Sequence, residues 1–248
     1  PLIPMIETTR GCPFTCTFCA DGLAIKSKIN RYETQRTREE LQYIAKNINK
    51  VDELIVTDLN FGMYKQDMET AKEIANIQKN YNYPVSVDAP AGKNMPKRII
   101  NIASIMKGWS MGGVIQSSDP GVLKAIKRSN ISIDAYQDLI DFGNKQKANR
   151  TYTEIILGLP DDTKEKHLKS LRLGVEKSVN NLRMHQAMLL IGTEMASKKD
   201  REKYGLITKF RTLPGNVGNY NILNKEHPIA EVEEIVIGSN TLSVDDYI

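Results

Sequence analysis

Between residues 3 and 191, short runs of β-branched and apolar residues alternate with longer stretches whose apolar positions recur at helical spacing. The short runs predict strands at residues 4–8, 53–57, 84–88, 112–116, 151–157 and 182–190. Between them lie helical stripes such as Leu41, Ile44, Ala45 and Ile48, with Thr37 and Glu40 spaced as a capping box at the start. A fifth helix carries Leu168, Leu171, Val175 and Val179 on one expected stripe. Strand and helix in strict alternation is the pattern of a parallel sheet, because each parallel pair needs a crossover long enough to hold a helix. Six such units in roughly 190 residues suit an incomplete (β/α) barrel or an open doubly wound sheet, since eight units take about 250 residues.

Beyond residue 192 the alternation stops. A polar helix at 196–204, a Gly/Asn/Pro-rich loop at 213–220 and an apolar run at 232–237 predict a C-terminal extension packed on the core. The expected organisation is therefore a core at 1–191 and an extension at 192–248. Near the end, Ser243 is placed to cap a helix, with Asp246 near the positive end of its dipole. The chain is expected to be a piece of a longer polypeptide whose extension is cut short, and no leader peptide is expected at residue 1.

Composition adds two exclusions. With 40% hydrophobic residues in 248, the chain has ample material for a core, and no apolar run reaches the roughly 20 residues of a membrane helix. A net charge of +4 is spread thinly among interleaved acidic residues, so neither nucleic acid nor membrane is an expected partner.

Cysteine changes the picture. All three lie within Gly11-Cys12-Pro13-Phe14-Thr15-Cys16-Thr17-Phe18-Cys19, directly after the first predicted strand. An odd number packed so tightly is not a disulfide framework. Three thiolates on one loop can each hold one iron of a four-iron four-sulfur cluster, which leaves the fourth iron open to a ligand. Two blander alternatives are a zinc site completed by His167, His185 or His227, and three inert structural thiols. His167, among Lys164, Glu165, Lys166 and Lys169, is expected on the solvated face of its helix, and His227 has no expected function.

The spacing, the aromatic Phe18 before the last cysteine, and the preceding Glu7-Thr8-Thr9-Arg10 closely resemble the radical S-adenosylmethionine (SAM) superfamily, in particular its branch with an N-terminal cobalamin-binding domain. The resemblance implies an α/β fold, a partial (β/α)6 TIM-like barrel of the radical SAM type with a C-terminal extension. It implies a [4Fe-4S] cluster on Cys12, Cys16 and Cys19, and SAM on the open iron. Reductive cleavage of SAM would then give a 5′-deoxyadenosyl radical that abstracts hydrogen from substrate. Cobalamin, held by a domain outside this chain, would direct the subtype toward methylation or rearrangement.

In barrels the chemistry sits at the C-terminal ends of the strands, and there the resemblance assigns cofactor contacts. Strand two ends in Asp58 and Asn60, where the superfamily often has a Gly-Gly-Glu segment that this sequence lacks; an Asx turn is the competing reading. Strand three ends in Asp88, for which a place facing the cavity and a cap on the following loop are competing readings. Strand four ends in Gln116 and Ser117, with Arg128 one helix later as a candidate fork for a carboxylate. Glu154 stands in the apolar fifth strand and needs a polar partner. Phe18 completes the expected cofactor contacts. His185 and Gln186 of strand six are expected on opposite faces. Arg211 and Tyr220 are within reach of the barrel mouth, although a plain loop role also suits them.

Partners implied are a small-molecule substrate and an electron donor such as flavodoxin or ferredoxin, in a reducing cytoplasm. A reading from another class is a non-catalytic scaffold that holds a cluster or zinc and recruits a partner.

Overall fold

The computed structural model describes residues 2–146 and 151–247, and of Pro214 the backbone alone. In chain order the elements are β1 (Met5–Ile6), β2 (Thr9–Arg10), β3 (Asn30–Arg31), α1 (Thr34–Asn47), β4 (Glu53–Val56), α2 (Asp67–Tyr81), β5 (Ser86–Asp88), α3 (Pro96–Ile105), α4 (Pro120–Ala125), α5 (Ile133–Lys145), β6 (Tyr152–Leu157), α6 (Lys164–Glu176), β7 (Asn181–Gln186), α7 (Lys198–Tyr204), β8 (Ile207–Ile222), β9 (Lys225–Gly238) and α8 (Val244–Tyr247). Among the described residues no helix is long and apolar enough to cross a membrane.

β1, β4 and β5 pair in parallel, in that order, and β6 pairs in parallel with β7. Residues 109–116 join the two groups through isolated parallel bridges, Val87 with Trp109, Gly112 with Tyr152 and Gln116 with Ile155. The result is one curved wall of six parallel segments, an α/β partial barrel left open at its edges.

The fourth segment lies where the sequence places it, but it is not a regular strand. At Gly112 and Gly113 an added Cβ would run into the rings of Tyr152 and Tyr136, so the two rings pack against bare backbone. Both rings are buried, and glycine there trades strand propensity for close aromatic packing.

A large apolar core separates β1, β4 and β5 from α1, α2 and α3. It holds Leu41, Leu54, Val56, Ile74, Ile99, Ile102 and Trp109, all at 0–1% exposure. Burying side chains of this size stabilises by about 1.5–3 kcal/mol each before the cost of ordering them. Trp109 Nε1 donates to the Ala89 carbonyl at 2.8 Å, and its ring meets Phe61 edge-on at 5.4 Å. This pair fixes the turns that follow β4 and β5.

Four local expectations change. α1 begins a turn before the expected capping box: Glu33 is the N-cap, and Thr37 is buried in the second turn, donating its N–H to the Glu33 carbonyl. On α6 the buried face is Ser170 and Gly174, while Leu168 and Val175 are exposed. Gly174 leaves room for Leu182, whose Cδ2 an added Cβ would strike. His167 is largely covered rather than solvated: its side chain is 11% exposed and its Nδ1 lies 3.7 Å from buried Asp162. The expected loop at 213–220 is part of β8, which pairs antiparallel with β9 in a long hairpin. Its turn is Leu223 and Asn224, both left-handed.

The hairpin lines the open side of the wall, with Met188 bridged to Ile235 and Val236 N–H bonded to the Ala187 carbonyl at 2.9 Å. At the end of the chain Ser243 caps α8 as expected, its Oγ accepting from Asp246 N–H at 3.1 Å.

Candidate functional site

The cysteine loop leaves β2 and returns as β3, which pair antiparallel at Thr9 with Arg31 and Arg10 with Asn30. Its base is closed by Cys12 N–H donating to the Lys26 carbonyl at 3.0 Å. Gly11 is left-handed (φ +106°), and an added Cβ would collide with the Lys28 carbonyl oxygen, so this entry point requires glycine. Inside the loop, Cys19 N–H donates to Cys16 O at 3.1 Å and Gly22 N–H to Cys19 O at 3.0 Å. Thr17 fastens the loop to the barrel on two sides: its N–H donates to Ile126 O at 3.1 Å, and its carbonyl accepts from Met195 N–H at 2.9 Å. Cys12 and Cys16 are buried and Cys19 is partly exposed.

Polar groups from several strand ends face these sulfurs. Asn60 Nδ2 lies 3.5 Å from Cys12 Sγ, and Lys93 Nζ lies 3.6 Å from Cys16 Sγ. Arg128 is 7% exposed; its Nε donates to Asn130 Oδ1 at 3.0 Å and its Nη2 to the Val114 carbonyl. Burial pulls the Arg128 guanidinium below its ordinary range, opposed by the neighbouring Cys16 sulfur. Burial, and then the Cys12 sulfur, raises the phenol of Tyr64 above its ordinary value.

Beside Cys19 opens a cavity of about 510 Å³ lined by Phe18, Gln116, Glu154, Ile156, Met188 and Arg211, among others. Gln116 is left-handed (φ +61°), a conformation unfavourable for a residue with a Cβ and common at functional sites. A larger cavity of about 830 Å³, among the first turns of α2, α3 and α5, holds none of the cysteines.

Of the expected contacts, the structure brings Phe18, Asn60, Gln116, Arg128 and Glu154 to the loop or its cavity. Glu154 has the polar partner its position demands, Arg183 at 3.4 Å, and keeps its place on the cavity wall. Three are turned elsewhere. Asp58 is buried and accepts from Thr8 N–H at 2.6 Å and Thr8 Oγ at 2.5 Å, which ties the turn after β4 to the segment after β1. Ser117 Oγ accepts from Asp119 N–H at 3.2 Å in the turn before α4. Asp88 is exposed and lies outside the cavity that holds Cys19. His185 and Gln186 both line the cavity, against the expectation from strand alternation, because it sits at the rim where β7 ends. Arg211 reaches the mouth and Tyr220 does not.

The sequence reading missed Lys93 and Tyr64. No motif surrounds either; only the tie between the turns after β4 and β5 carries them to the cysteines.

Whether these residues fit a cluster and its ligand can be tested on unpaired polar atoms. Among the described residues, the buried side-chain atoms without a hydrogen-bond partner are Thr9 Oγ1, Thr17 Oγ1, Asn60 Oδ1, Tyr64 Oη, Gln116 Oε1, Arg128 Nη1, Asp67 Oδ1 and Tyr136 Oη. All but the last two surround the cysteine loop. An unpaired buried polar atom costs about 1–3 kcal/mol, so such a concentration marks a place built for a polar group the chain does not itself supply. Among the described residues no three His, Cys, Asp or Glu side chains are arranged around a single metal ion. A cluster makes a different demand, with each thiolate going to its own iron.

The family model of the Radical SAM superfamily matches residues 6–174. Over 219 residues the chain is 32% identical to the cobalamin-dependent radical SAM methyltransferase TokK of Streptomyces tokunonensis, covering 84% of this chain and 30% of that protein. It is 29% identical over 258 residues to the 2-(S-pantetheinyl)-carbapenam-3-carboxylate methyltransferase of Streptantibioticus cattleyicolor, covering 98% of this chain and 35% of that protein. The chain thus spans about a third of the length of these curated relatives. Among solved structures it resembles the radical S-adenosylmethionine methyltransferase TsrM of Kitasatospora setae, at TM-score 0.68 and 14% identity over 91% of this chain and 42% of that one. It also resembles methylornithine synthase PylB, at TM-score 0.56 and 14% identity over 80% of this chain and 57% of that one. At these identities the structural likeness is one of fold.

Proposed function

This chain belongs to the radical SAM superfamily, and on that premise we propose that it is the catalytic core of a cobalamin-dependent methyltransferase acting on an unreactive carbon of a small molecule. Membership implies a [4Fe-4S] cluster and SAM as cofactors, and Cys12, Cys16 and Cys19 are the residues that would hold the cluster. When bound, the cluster supplies the electron that cleaves the sulfonium of SAM reductively.

The chain's own residues then have distinct tasks. The loop presents two cysteine sulfurs in a buried setting and the third, Cys19, at the edge of the cavity. Asn60 directs an amide N–H at Cys12, and its free Oδ1 can accept from a bound amine. Arg128 has one unpaired Nη1 next to Cys16, suited to one oxygen of an amino-acid carboxylate. Gln116 and Glu154 offer acceptors to hydroxyl or amino groups along the wall, and Phe18, Ile156 and Leu159 exclude water around them. The concentration of unpaired buried polar atoms around three thiols carries this reading, since a non-catalytic scaffold gives them no partner.

The methyltransferase subtype is supported by TokK and the carbapenam methyltransferase, and it requires a cobalamin-binding domain outside this chain. An electron donor of the flavodoxin or ferredoxin class and a reducing cytoplasm fit the same reading.

The test is anaerobic reconstitution with iron and sulfide, followed by dithionite and SAM, with 5′-deoxyadenosine and S-adenosylhomocysteine quantified. Wild-type protein is expected to yield 5′-deoxyadenosine and Cys16→Ala none. A fully loaded cluster that neither binds nor cleaves SAM would overturn the proposal. With a cobalamin-binding domain supplied together with methylcobalamin, a methylated product from a carboxylated bicyclic β-lactam would support the subtype.

A further inference from the structure

Lys93 is the cation that no motif announces. Its Nζ sits 3.6 Å from Cys16 Sγ and 4.8 Å from the centre of the Phe14 ring, within the cysteine loop itself. Among the described residues it forms no salt bridge with a carboxylate, so its charge is not neutralised locally. Its backbone is fixed by the neighbouring turns. Phe61 N–H donates to Pro90 O at 2.9 Å, Gly92 N–H donates back to Phe61 O at 2.8 Å, and Phe61 is bridged to Ala91. Gly92 has no room for a side chain, since a Cβ would come within 2.8 Å of Met63 Cβ. The buried Phe61–Trp109 pair anchors these turns in the core. The lysine is therefore aimed at the thiol by rigid structure rather than resting there as a loose surface side chain.

We propose that Lys93 is a positioning cation that makes the bound cluster easier to reduce, through its contact with Cys16 and its seat on Phe14. The inference rests on the reading of Cys12, Cys16 and Cys19 as cluster ligands. Reduction adds one electron from a low-potential reductant to an already anionic cluster; no bond forms or breaks, and the lysine keeps its proton. A fixed positive charge stabilises the more negative reduced form more than the oxidised form. Hydrogen bonding from N–H to a ligand sulfur acts in the same direction. Phe14 contributes by holding the ammonium over its ring face, which limits the orientations in which it points away.

The experiment compares wild type, Lys93→Met and Lys93→Arg, each reconstituted anaerobically, with the midpoint potential measured by an EPR-monitored titration and iron content measured on the same samples. Lys93→Met keeps length and apolar volume but removes the charge. At the wild-type midpoint its reduced-to-oxidised ratio is expected to fall about tenfold, equivalent to about 59 mV for one electron. Lys93→Arg is expected to return most of the shift. An unchanged potential in fully loaded Lys93→Met overturns the proposal, and so does a Lys93→Arg variant that behaves like Met. If Lys93→Met does not load, Phe14→Leu supplies the test, because it frees the ammonium while leaving every ligand in place. A smaller shift of the same sign is expected, and no shift overturns the proposal. A Met variant with wild-type potential but weakened SAM binding by equilibrium dialysis would assign the lysine to the SAM carboxylate instead. Wild-type protein that takes up no cluster would remove the premise, a failure distinct from a loaded variant with unmoved potential.

Discussion

One added methyl group should separate cluster binding from folding. Gly22 packs against the backbone of Cys16, and an alanine Cβ there would lie 2.5 Å from the Cys16 carbonyl oxygen and 3.1 Å from its nitrogen. Gly22 is not left-handed, so alanine carries no dihedral penalty and the perturbation is purely steric. A relaxed carbon–oxygen contact is about 3.3 Å, so the Cys16 carbonyl must withdraw by roughly 0.8 Å. Metal–ligand distances tolerate only about ±0.2 Å, and the displaced residue is one of the three proposed cluster ligands. The cost to the fold is that of local overpacking, about 1–3 kcal/mol, because the loop lies at the barrel rim and not within the apolar core. Gly22→Ala should therefore keep the far-UV circular dichroism of the wild type, lose most of its iron and sulfide after reconstitution, and show a weakened EPR signal. Gly218→Ala in the hairpin, where the nearest atom would be 3.5 Å away, is the matched control and should load normally. Wild-type iron content and line shape in Gly22→Ala would refute the argument that this contact sets the position of Cys16.

Two further predictions follow from buried charges. Asp67 accepts from Gly62 and Tyr64 N–H at 2.8 and 2.9 Å, yet burial raises its carboxyl to about 6, with the Asp58 charge adding to the effect. A raised carboxyl pKa means that the fold prefers the protonated acid. Its contribution is therefore greatest below the unfolded value of about 4 and declines as pH climbs to about 6, by an order of 3 kcal/mol. Urea denaturation at pH 4.5, 5.5 and 7 should show this decline in wild type and a flatter profile in Asp67→Asn; parallel profiles would contradict it. Arg128→Lys loses the fork that serves Asn130, Val114 and the unpaired Nη1 position together. SAM affinity of the loaded protein, by calorimetry, is expected to fall about tenfold or more, with about 1–3 kcal/mol lost in stability; unchanged affinity would detach Arg128 from the cofactor.

The parts that were legible in the sequence are those governed by local spacing. The cysteine loop and the strands at 53–57, 84–88 and 151–157 depend on near neighbours and on apolar runs, and both survive in the fold. What was hidden depends on contacts between distant residues. The fourth segment looks like its neighbours in sequence, but the rings of Tyr136 and Tyr152 dictate glycine there, and it joins the wall through isolated bridges. The hairpin was obscured because 213–220 carries the glycine, asparagine and proline of a loop, and because its turn uses Leu223-Asn224 rather than a familiar glycine pair. Asp58 ends its strand as an acidic site residue would, yet the hydroxyl and N–H of Thr8 claim both its oxygens. Lys93 shows the converse: nothing nearby in sequence marks it, and only the turn bolted to Phe61 brings it to Cys16.

The double fastening of Thr17 also sets an order of events during biosynthesis. The cysteines are made well before Ile126 and Met195, whose carbonyl and N–H hold their loop. Contacts so distant in sequence form only after the intervening chain has closed its own loops. Between the synthesis of Cys19 and that of Met195 a nascent chain therefore carries three thiols with no complete frame to shape them. Cluster delivery belongs after residue 195 has left the ribosome, and a chain stopped short of that point keeps its cysteines but lacks the anchor that arranges them.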